Sequence, residues 1–278
     1  MEKQLKGCII IHNYTIHDEI RSVCTPKWFL SCLVIMLLPM IYFLLRHSQY
    51  TFNSEYDVFT FFLDSFVPIV FVIFAVFVYT GMFAQEVNNR FIVYTRLRIS
   101  LKKLLRIKIV TNFVLTFGVF FIFIFAYFIF AYYVEPVIGL VRYDPSFFAL
   151  NGTTVQEYTL TQNTFSQLLA YGEVTYGFIY SLWVAINAAL FATFALLLVL
   201  LLDNKFLALS IPFGFYLVES FFMGAFGMVK YQFFQAIFPF NYMQLPIWTS
   251  LVPTAALIIV CLFLLSYLIL ANRLDRMQ

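Results

Sequence analysis

The sequence predicts an all-α integral membrane protein with six transmembrane helices. Its 278 residues are 63% hydrophobic and only 11% charged, whereas soluble domains have roughly 45–50% apolar and about 25% charged residues. A helix of about 20 apolar residues crosses the hydrocarbon of a bilayer. The chain contains six apolar runs that approach or exceed this length, at residues 29–45, 59–83, 109–134, 176–202, 206–228 and 251–271.

The N-terminal segment, residues 1–28, predicts a helix that lies in the membrane surface. Its apolar residues recur at three- and four-residue steps between Leu5 and Val23, which is typical of an interfacial helix. We expect about five helical turns that end before Pro26, and then Trp28 as an interfacial anchor. Residues 29–278 form the six-span domain, whose first span should bend at Pro39.

The distribution of positive charge predicts the topology, because Lys and Arg are retained on the cytoplasmic side of a membrane. The N-terminal segment, the segments after spans two and four, and the C-terminal tail hold 14 of the 17 basic residues. The other connections hold Arg46, Arg142 and Lys230. The sequence therefore predicts a multi-pass protein of the cell membrane with both termini in the cytoplasm.

The cytoplasmic segment between spans two and three, residues 84–108, combines basic and apolar residues. Seven Lys and Arg lie between Arg90 and Lys108, while apolar residues recur at helical spacing from Val87 to Leu105. This pattern indicates an amphipathic helical segment against membrane lipid, in two short helices that meet near residues 96–100. A solvated loop that only sets the topology is the alternative. Nucleic acid is not expected as a partner, because the cluster adjoins a membrane span.

Two long segments are predicted on the outer side. Residues 135–175 form a connection that could cap an exit, bind a substrate, pack on a partner or simply join two spans. Residues 229–250 are rich in aromatic side chains and contain Pro239 and Pro246. They are expected to form either a short re-entrant helix or an interfacial loop.

The sequence contains no pattern that predicts catalysis. No pair of its four cysteines has metal-ligand spacing, and no Gly-x-x-x-x-Gly-Lys-[Ser/Thr] loop occurs. No paired carboxylates, His-Glu-x-x-His or Gly-x-Ser-x-Gly motif indicates an intramembrane enzyme. We therefore expect neither a catalytic residue, nor a metal, nor a cofactor in this chain.

The architecture resembles the permease subunit of type-2 ABC transporters, the ABC-2 exporter family. In that family the segment between spans two and three runs from an acidic residue, through a Gly-Thr pair and a Pro-Ile-Ser-Arg-like turn, to a Lys that opens span three. Glu86, Ile99-Ser100 and Lys108 match these positions. Asn89-Arg90 stands in place of the Gly-Thr pair, and Arg98 in place of the proline.

The resemblance implies an N-terminal elbow helix and a cytoplasmic coupling helix that docks on a separate ATP-binding subunit. That subunit would hold ATP and Mg²⁺, and a second permease would complete a homo- or heterodimer. The residues proposed to couple to the ATPase are Glu86, Arg90, Arg96, Arg98, Ser100 and Lys102. The implied function is export of a hydrophobic or amphipathic substrate such as a peptide, lipid or drug. A stand-alone channel or secondary carrier is the alternative.

A transport path is predicted from polar residues within the spans, namely Asp64, Asn187 and Glu219. Glu219 is the acid that lies deepest in a span, and a carboxylate facing lipid is costly. It is expected either to be a protonated structural residue hydrogen-bonded to a neighbour such as Asn187, or to line the path in the outer half together with Asp64.

Overall fold

The computed structural model describes residues 14–89, 100–148, 152–240 and 243–270, and these residues form an all-helical fold. The α-helices are α1 (Ile16–Val23), α2 (Pro26–Arg46), α3 (Glu55–Asp64), α4 (Val67–Val78), α5 (Thr80–Asn88), α6 (Leu101–Ile129), α7 (Glu135–Ile138), α8 (Gly152–Thr161), α9 (Glu173–Leu201), α10 (Lys205–Ala225), α11 (Phe233–Ile237) and α12 (Trp248–Leu270). Short 3-10 helices lie at His47–Gln49, Pro145–Phe148, Ser166–Tyr171 and Val229–Tyr231, and a π-helical turn lies at Phe130–Val134.

Five helical segments of the described chain are long and apolar enough to cross a membrane, and there are six if the bent pair α3 and α4 is counted as one span. The chain is therefore a multi-pass helical membrane protein, as its apolar runs predict. Helix α2 continues through Pro39. Helix α6 begins at Leu101, whereas the predicted third span begins at residue 109. The basic residues before the apolar run therefore belong to the same helix as the span.

The second span is not the single helix that the apolar run 59–83 predicts. Helices α3 and α4 meet at an angle of 64°. Pro68 lies in the first turn of α4 and has no N–H to donate to the carbonyl of Asp64, so one helical hydrogen bond is missing at the break. A second interruption at Tyr79 separates α4 from α5.

The prediction of one continuous five-turn helix in the N-terminal segment is also wrong, because a helix start lies in its middle. Helix α1 begins at Ile16, and Thr15 before it has extended backbone. The Thr15 side chain accepts the N–H of Asp18, and the Asp18 carboxylate accepts the N–H of Thr15 at 3.0 Å. This reciprocal capping box is a strong helix start, so the helix cannot run continuously from Leu5 to Val23. Residues 1–13 lie outside the described residues.

Helix α9, the fourth span, lies at the centre of the bundle. It packs against α4, α6, α10 and α12, and its alanines at 185, 188, 189, 192 and 195 are fully buried. Small side chains permit this close approach of helices in a membrane. Apolar side chains of α2, α10 and α12 are exposed on the outside of the bundle, as lipid-facing helices require.

The two ends of the bundle differ. The ends of α2, α5 and α10 that carry Thr25, Asn88 and Asn204 lie together, and we call this the basic end. At the opposite loop end, residues 135–175 fold into short helices, and Gln162 donates to Asp57 of α3 at 3.3 Å. Helix α11 is buried there against α12, α10 and α9, and Trp183 of α9 donates to its Ala236 carbonyl at 2.8 Å.

Candidate functional site

Five side chains from three parts of the chain meet at the basic end and form what we call the Lys108 cluster. The Lys108 ammonium donates to the Glu19 carboxylate at 2.9 Å and to the Glu86 carboxylate at 2.5 Å. Tyr79 donates to Glu19 at 2.8 Å, and Tyr14 donates to the other oxygen of the same carboxylate. The cluster ties α1, the end of the second span and the start of the third span to one ammonium group.

Local sequence places each member of the cluster. Glu19 lies three residues after Ile16 and four before Val23, so it shares the apolar face of α1 that packs inward. Tyr79 reaches Glu19 from the break between α4 and α5. The break leaves the Val78 carbonyl without an onward helical bond, and the indole of Trp28 donates to it at 2.7 Å.

The cluster is largely removed from water. Glu19 is 1% exposed and Lys108 is 6% exposed, whereas the Glu86 side chain is more than a third exposed. Burial alone would raise the pKa of Glu19, but the charge of Lys108 and the hydrogen bonds from Tyr14 and Tyr79 lower the pKa below its ordinary value. Burial and the adjacent Glu19 raise the pKa of Tyr14, so its hydroxyl stays a donor.

A pH dependence of stability follows from the lowered pKa of Glu19. A carboxyl group whose pKa is lower in the folded than in the unfolded protein stabilises the fold above its unfolded pKa of about 4.3, and this contribution is lost as the pH falls through the folded value. The thermal midpoint should therefore fall between pH 6 and pH 3 more steeply in the wild type than in Glu19→Gln. Parallel curves for the two proteins would contradict this role of Glu19.

A second polar contact links the spans at membrane depth. The Thr80 hydroxyl lies 3.0 Å from the Asn112 side-chain oxygen and 3.2 Å from the Ala192 carbonyl. Asn112 also donates to Thr193 of α9 at 3.5 Å. Thr80 and Asn112 are fully buried, so their hydrogen bonds hold α5 and α6 against the central helix inside the bundle.

The residues predicted to couple to an ATPase are only partly placed. Glu86 lies in the Lys108 cluster. Ser100 precedes α6 as its exposed N-cap, and Lys102 is exposed on the first turn. Arg90, Arg96 and Arg98 lie outside the described residues. The structure therefore describes only the two ends of the basic segment. Glu86 and Lys108, the two positions that resemble the family's acidic residue and lysine, form a direct ion pair.

The three polar residues predicted for a transport path lie on three different helices, α3, α9 and α10. Asp64 lies at the end of α3 and lines a cavity at the loop end. Asn187 accepts from Thr254 of α12 at 2.8 Å and donates to the Trp183 carbonyl at 3.0 Å. Glu219 is hydrogen-bonded to Ser220 and to the backbone of Phe233, and not to Asn187, the neighbour given as an example.

Glu219 instead fixes helix α11 against α10. Its carboxylate accepts the N–H of Phe233, the first residue of α11, at 3.0 Å. Gln232 donates to the Ser220 carbonyl at 2.7 Å beside it. A carboxylate at a helix N-terminus satisfies N–H groups that lack helical partners. Glu219 therefore has a structural contact. Sequence patterns do not predict it, because Phe233 lies 14 residues further along the chain.

A cavity of about 930 Å³ opens at the basic end between the starts of α2 and α10 and helix α5. Its polar lining is largely used by the helix ends. Thr25 and Asn204 cap α2 and α10, and Lys205 donates to the carbonyls of Val199 and Leu202. Within the described part of the chain, no group of three His, Cys, Asp or Glu side chains could hold a metal ion.

Three members of the cluster, Tyr14, Glu19 and Tyr79, are absent from the residues that sequence patterns single out. The spacing of Glu19 from Ile16, Ile20 and Val23 is the signal that could have found it, because a carboxylate on an apolar face requires a partner. No comparable signal marks Tyr79, which lies in an uninterrupted apolar run.

No protein-family model, curated protein or solved structure matches this chain. The assignment of a function therefore rests on the residues of this chain alone.

Proposed function

We propose that this chain is the membrane-spanning permease subunit of an ABC transporter, driven by a separate ATP-binding subunit. The observation that carries the proposal is the Lys108 cluster. It clamps together α1, the end of the second span and the start of the third span, and the last two of these flank residues 90–99 in the sequence. A force applied to the segment between α5 and α6 would be passed to three elements at once.

The third span suits this mechanical role. Helix α6 is continuous from Leu101 to Ile129 and packs along the central helix α9. A continuous helix moves as a rigid rod, so displacement of its basic first turn would tilt the whole third span. The polar contacts of Thr80 and Asn112 would carry the same displacement to α9.

In the proposed complex the basic end faces the cytoplasm, as the positive-inside rule requires. ATP and Mg²⁺ would be bound by the partner subunit, and a second permease would complete the translocation pathway. The cargo would be hydrophobic or amphipathic, since the described spans expose large apolar faces and carry few charged side chains.

Reversing the charge of the docking segment should weaken the complex without preventing insertion. The variant Arg96→Glu/Arg98→Glu should lose most of its co-purification with the ATP-binding subunit, because charge-assisted contacts would become repulsive. The control Arg142→Glu/Lys230→Glu makes the same change in net charge at the loop end and should leave co-purification intact. Normal assembly and ATP hydrolysis with Arg96→Glu/Arg98→Glu would contradict the docking surface.

Reconstitution in liposomes separates the proposed permease from a stand-alone carrier or channel. The permease should stimulate ATP hydrolysis by its partner, and substrate movement should require ATP. Substrate movement in the absence of the ATP-binding subunit, driven by an ion gradient, would favour the carrier instead.

A further inference from the structure

The cavity of about 930 Å³ at the basic end lies at the membrane surface, because two spans begin on its wall. Helix α2 begins at Pro26 and α10 at Lys205, and residues of both first turns line the cavity. The wall residue Phe206 is 81% exposed, and an apolar side chain at the end of a span meets lipid in a bilayer. The cavity is therefore next to the lipid that surrounds the bundle.

The charge of the cavity wall is positive on balance. Its described residues include Lys27, Lys205 and a single acid, Asp203, so their formal charges sum to +1. The N-termini of α2 and α10 lie on the same wall and add partial positive charge, of which the C-terminus of α5 offsets a part. An anionic group is therefore favoured over a neutral or cationic one.

Three polar side chains on this wall are not used by the helix ends. Within the part of the chain that the structure describes, the side chains of Lys27, Gln85 and Asn88 have no hydrogen-bond or ion-pair partner. All three are exposed, so a molecule in the cavity can reach their N–H groups. Ammonium and amide groups donate well to phosphate oxygens. Lys205 differs from Lys27, because its ammonium already donates to two backbone carbonyls.

Apolar side chains form the rest of the wall, namely Trp28, Phe77, Met82, Phe206 and Leu209. Phe77 is 53% exposed, although it lies within the second span. A free phosphate ion gains nothing from such a surface, whereas the glycerol and acyl chains of a lipid gain free energy by packing on it. Gly81 of α5 leaves further room, because a Cβ atom there meets nothing within 4 Å.

We propose that the cavity at the basic end binds an anionic phospholipid. The phosphate of the headgroup lies at the Lys27 ammonium, the amides of Gln85 and Asn88 donate to the headgroup, and the acyl chains pack on the apolar wall. Basic pockets between membrane helices bind anionic headgroups in this way. The assignment concerns lipid binding and does not depend on whether the chain belongs to an ABC transporter.

The test titrates the full chain, in an uncharged detergent, with phosphatidylglycerol and phosphatidylcholine of identical acyl chains. Native mass spectrometry measures the affinity of the first lipid bound. Phosphatidylglycerol should bind at least about fivefold more tightly, since one basic residue near a lipid surface contributes about 1 kcal/mol. Soluble glycerol 3-phosphate should not displace the lipid at equal concentration, because it has no acyl chains. Equal affinities for the two lipids, or displacement by glycerol 3-phosphate, would overturn the assignment.

Two charge variants should act in opposite directions. Lys27→Gln should remove the preference for phosphatidylglycerol, and Asp203→Asn should increase it, because the first lowers and the second raises the positive charge of the wall. Lys103→Gln is the matched control, since Lys103 is an exposed lysine at the start of α6 outside the described cavity wall. If Lys27→Gln and Lys103→Gln bind phosphatidylglycerol equally well, Lys27 does not hold the headgroup and the proposal is wrong.

A steric variant tests the cavity without changing its charge. Gly81→Leu places a side chain in the open space beside α5 and should lose the tight binding of the first phosphatidylglycerol. Gly118→Leu is its control, because Gly118 on α6 has equally open surroundings but lies outside the described cavity wall. Wild-type affinity in Gly81→Leu would place the lipid elsewhere on the protein and contradict the assignment.

Discussion

Replacing Lys108 with methionine should destabilise the protein by about 3–5 kcal/mol, because the change leaves the 1% exposed carboxylate of Glu19 buried without its cation. The desolvation cost of Glu19 remains, and only the two tyrosine hydroxyls still donate to it. We expect a large fall in the thermal midpoint of the detergent-solubilised protein, followed by loss of yield from membranes.

Lys102→Met is the matched control, because Lys102 is exposed and lies about 1.7 turns earlier on the same helix. It should change stability by less than about 0.5 kcal/mol. The double variant Glu19→Gln/Lys108→Met should recover part of the loss, since it removes the orphaned charge as well as its partner. If Lys108→Met is as stable as Lys102→Met, the cluster does not hold the basic end together.

Gly177→Ala should destabilise the contact between α9 and α6 by about 1–3 kcal/mol through overpacking. A Cβ atom on Gly177 would lie 2.5 Å from ring atoms of Phe128. Phe128 is fully buried and packs against Phe59, Phe125 and Tyr132. Its ring therefore has no free direction in which to move.

Two other glycines in spans provide the comparison, because a Cβ atom on Gly118 of α6 or on Gly214 of α10 meets nothing within 4 Å. Gly118→Ala and Gly214→Ala should leave the thermal midpoint nearly unchanged or raise it, since alanine is the better helix former. Adding Phe128→Leu to Gly177→Ala should relieve part of the clash. A Gly177→Ala protein as stable as Gly118→Ala would show that the two helices are not in close contact at this point.

The spans are predictable from the sequence because the requirement that produces them is simple. A helix must present apolar side chains to lipid over its whole length, and long apolar runs record this directly. The burial of Glu19 was not predicted, because its polar neighbours Asp18, Arg21 and Ser22 indicate a solvent-exposed surface. Its burial depends on Lys108, which is 89 residues away in sequence.

The broken second span shows a different limit. Hydropathy measures only whether a side chain tolerates lipid, so the run 59–83 is equally apolar whether it is one helix or two. Pro68 and the polar pair Asp64-Ser65 mark the break, but α2 also contains a proline and continues through it. Whether a proline interrupts a membrane helix depends on whether neighbouring helices satisfy the freed backbone groups, and these contacts are tertiary.

The central position of α9 has a consequence for biosynthesis. This helix is synthesised fourth, yet α10 and α12, which cover one side of it, leave the ribosome later. Lipid tails can cover the side of α9 that later meets α10 and α12 at little cost, because they are as apolar as the side chains they contact. The hydrogen bond to the side-chain oxygen of Asn187 forms last, because its donor, Thr254, lies on the last helix to be synthesised. Docking of α12 therefore satisfies the side-chain oxygen of Asn187 through the Thr254 hydroxyl.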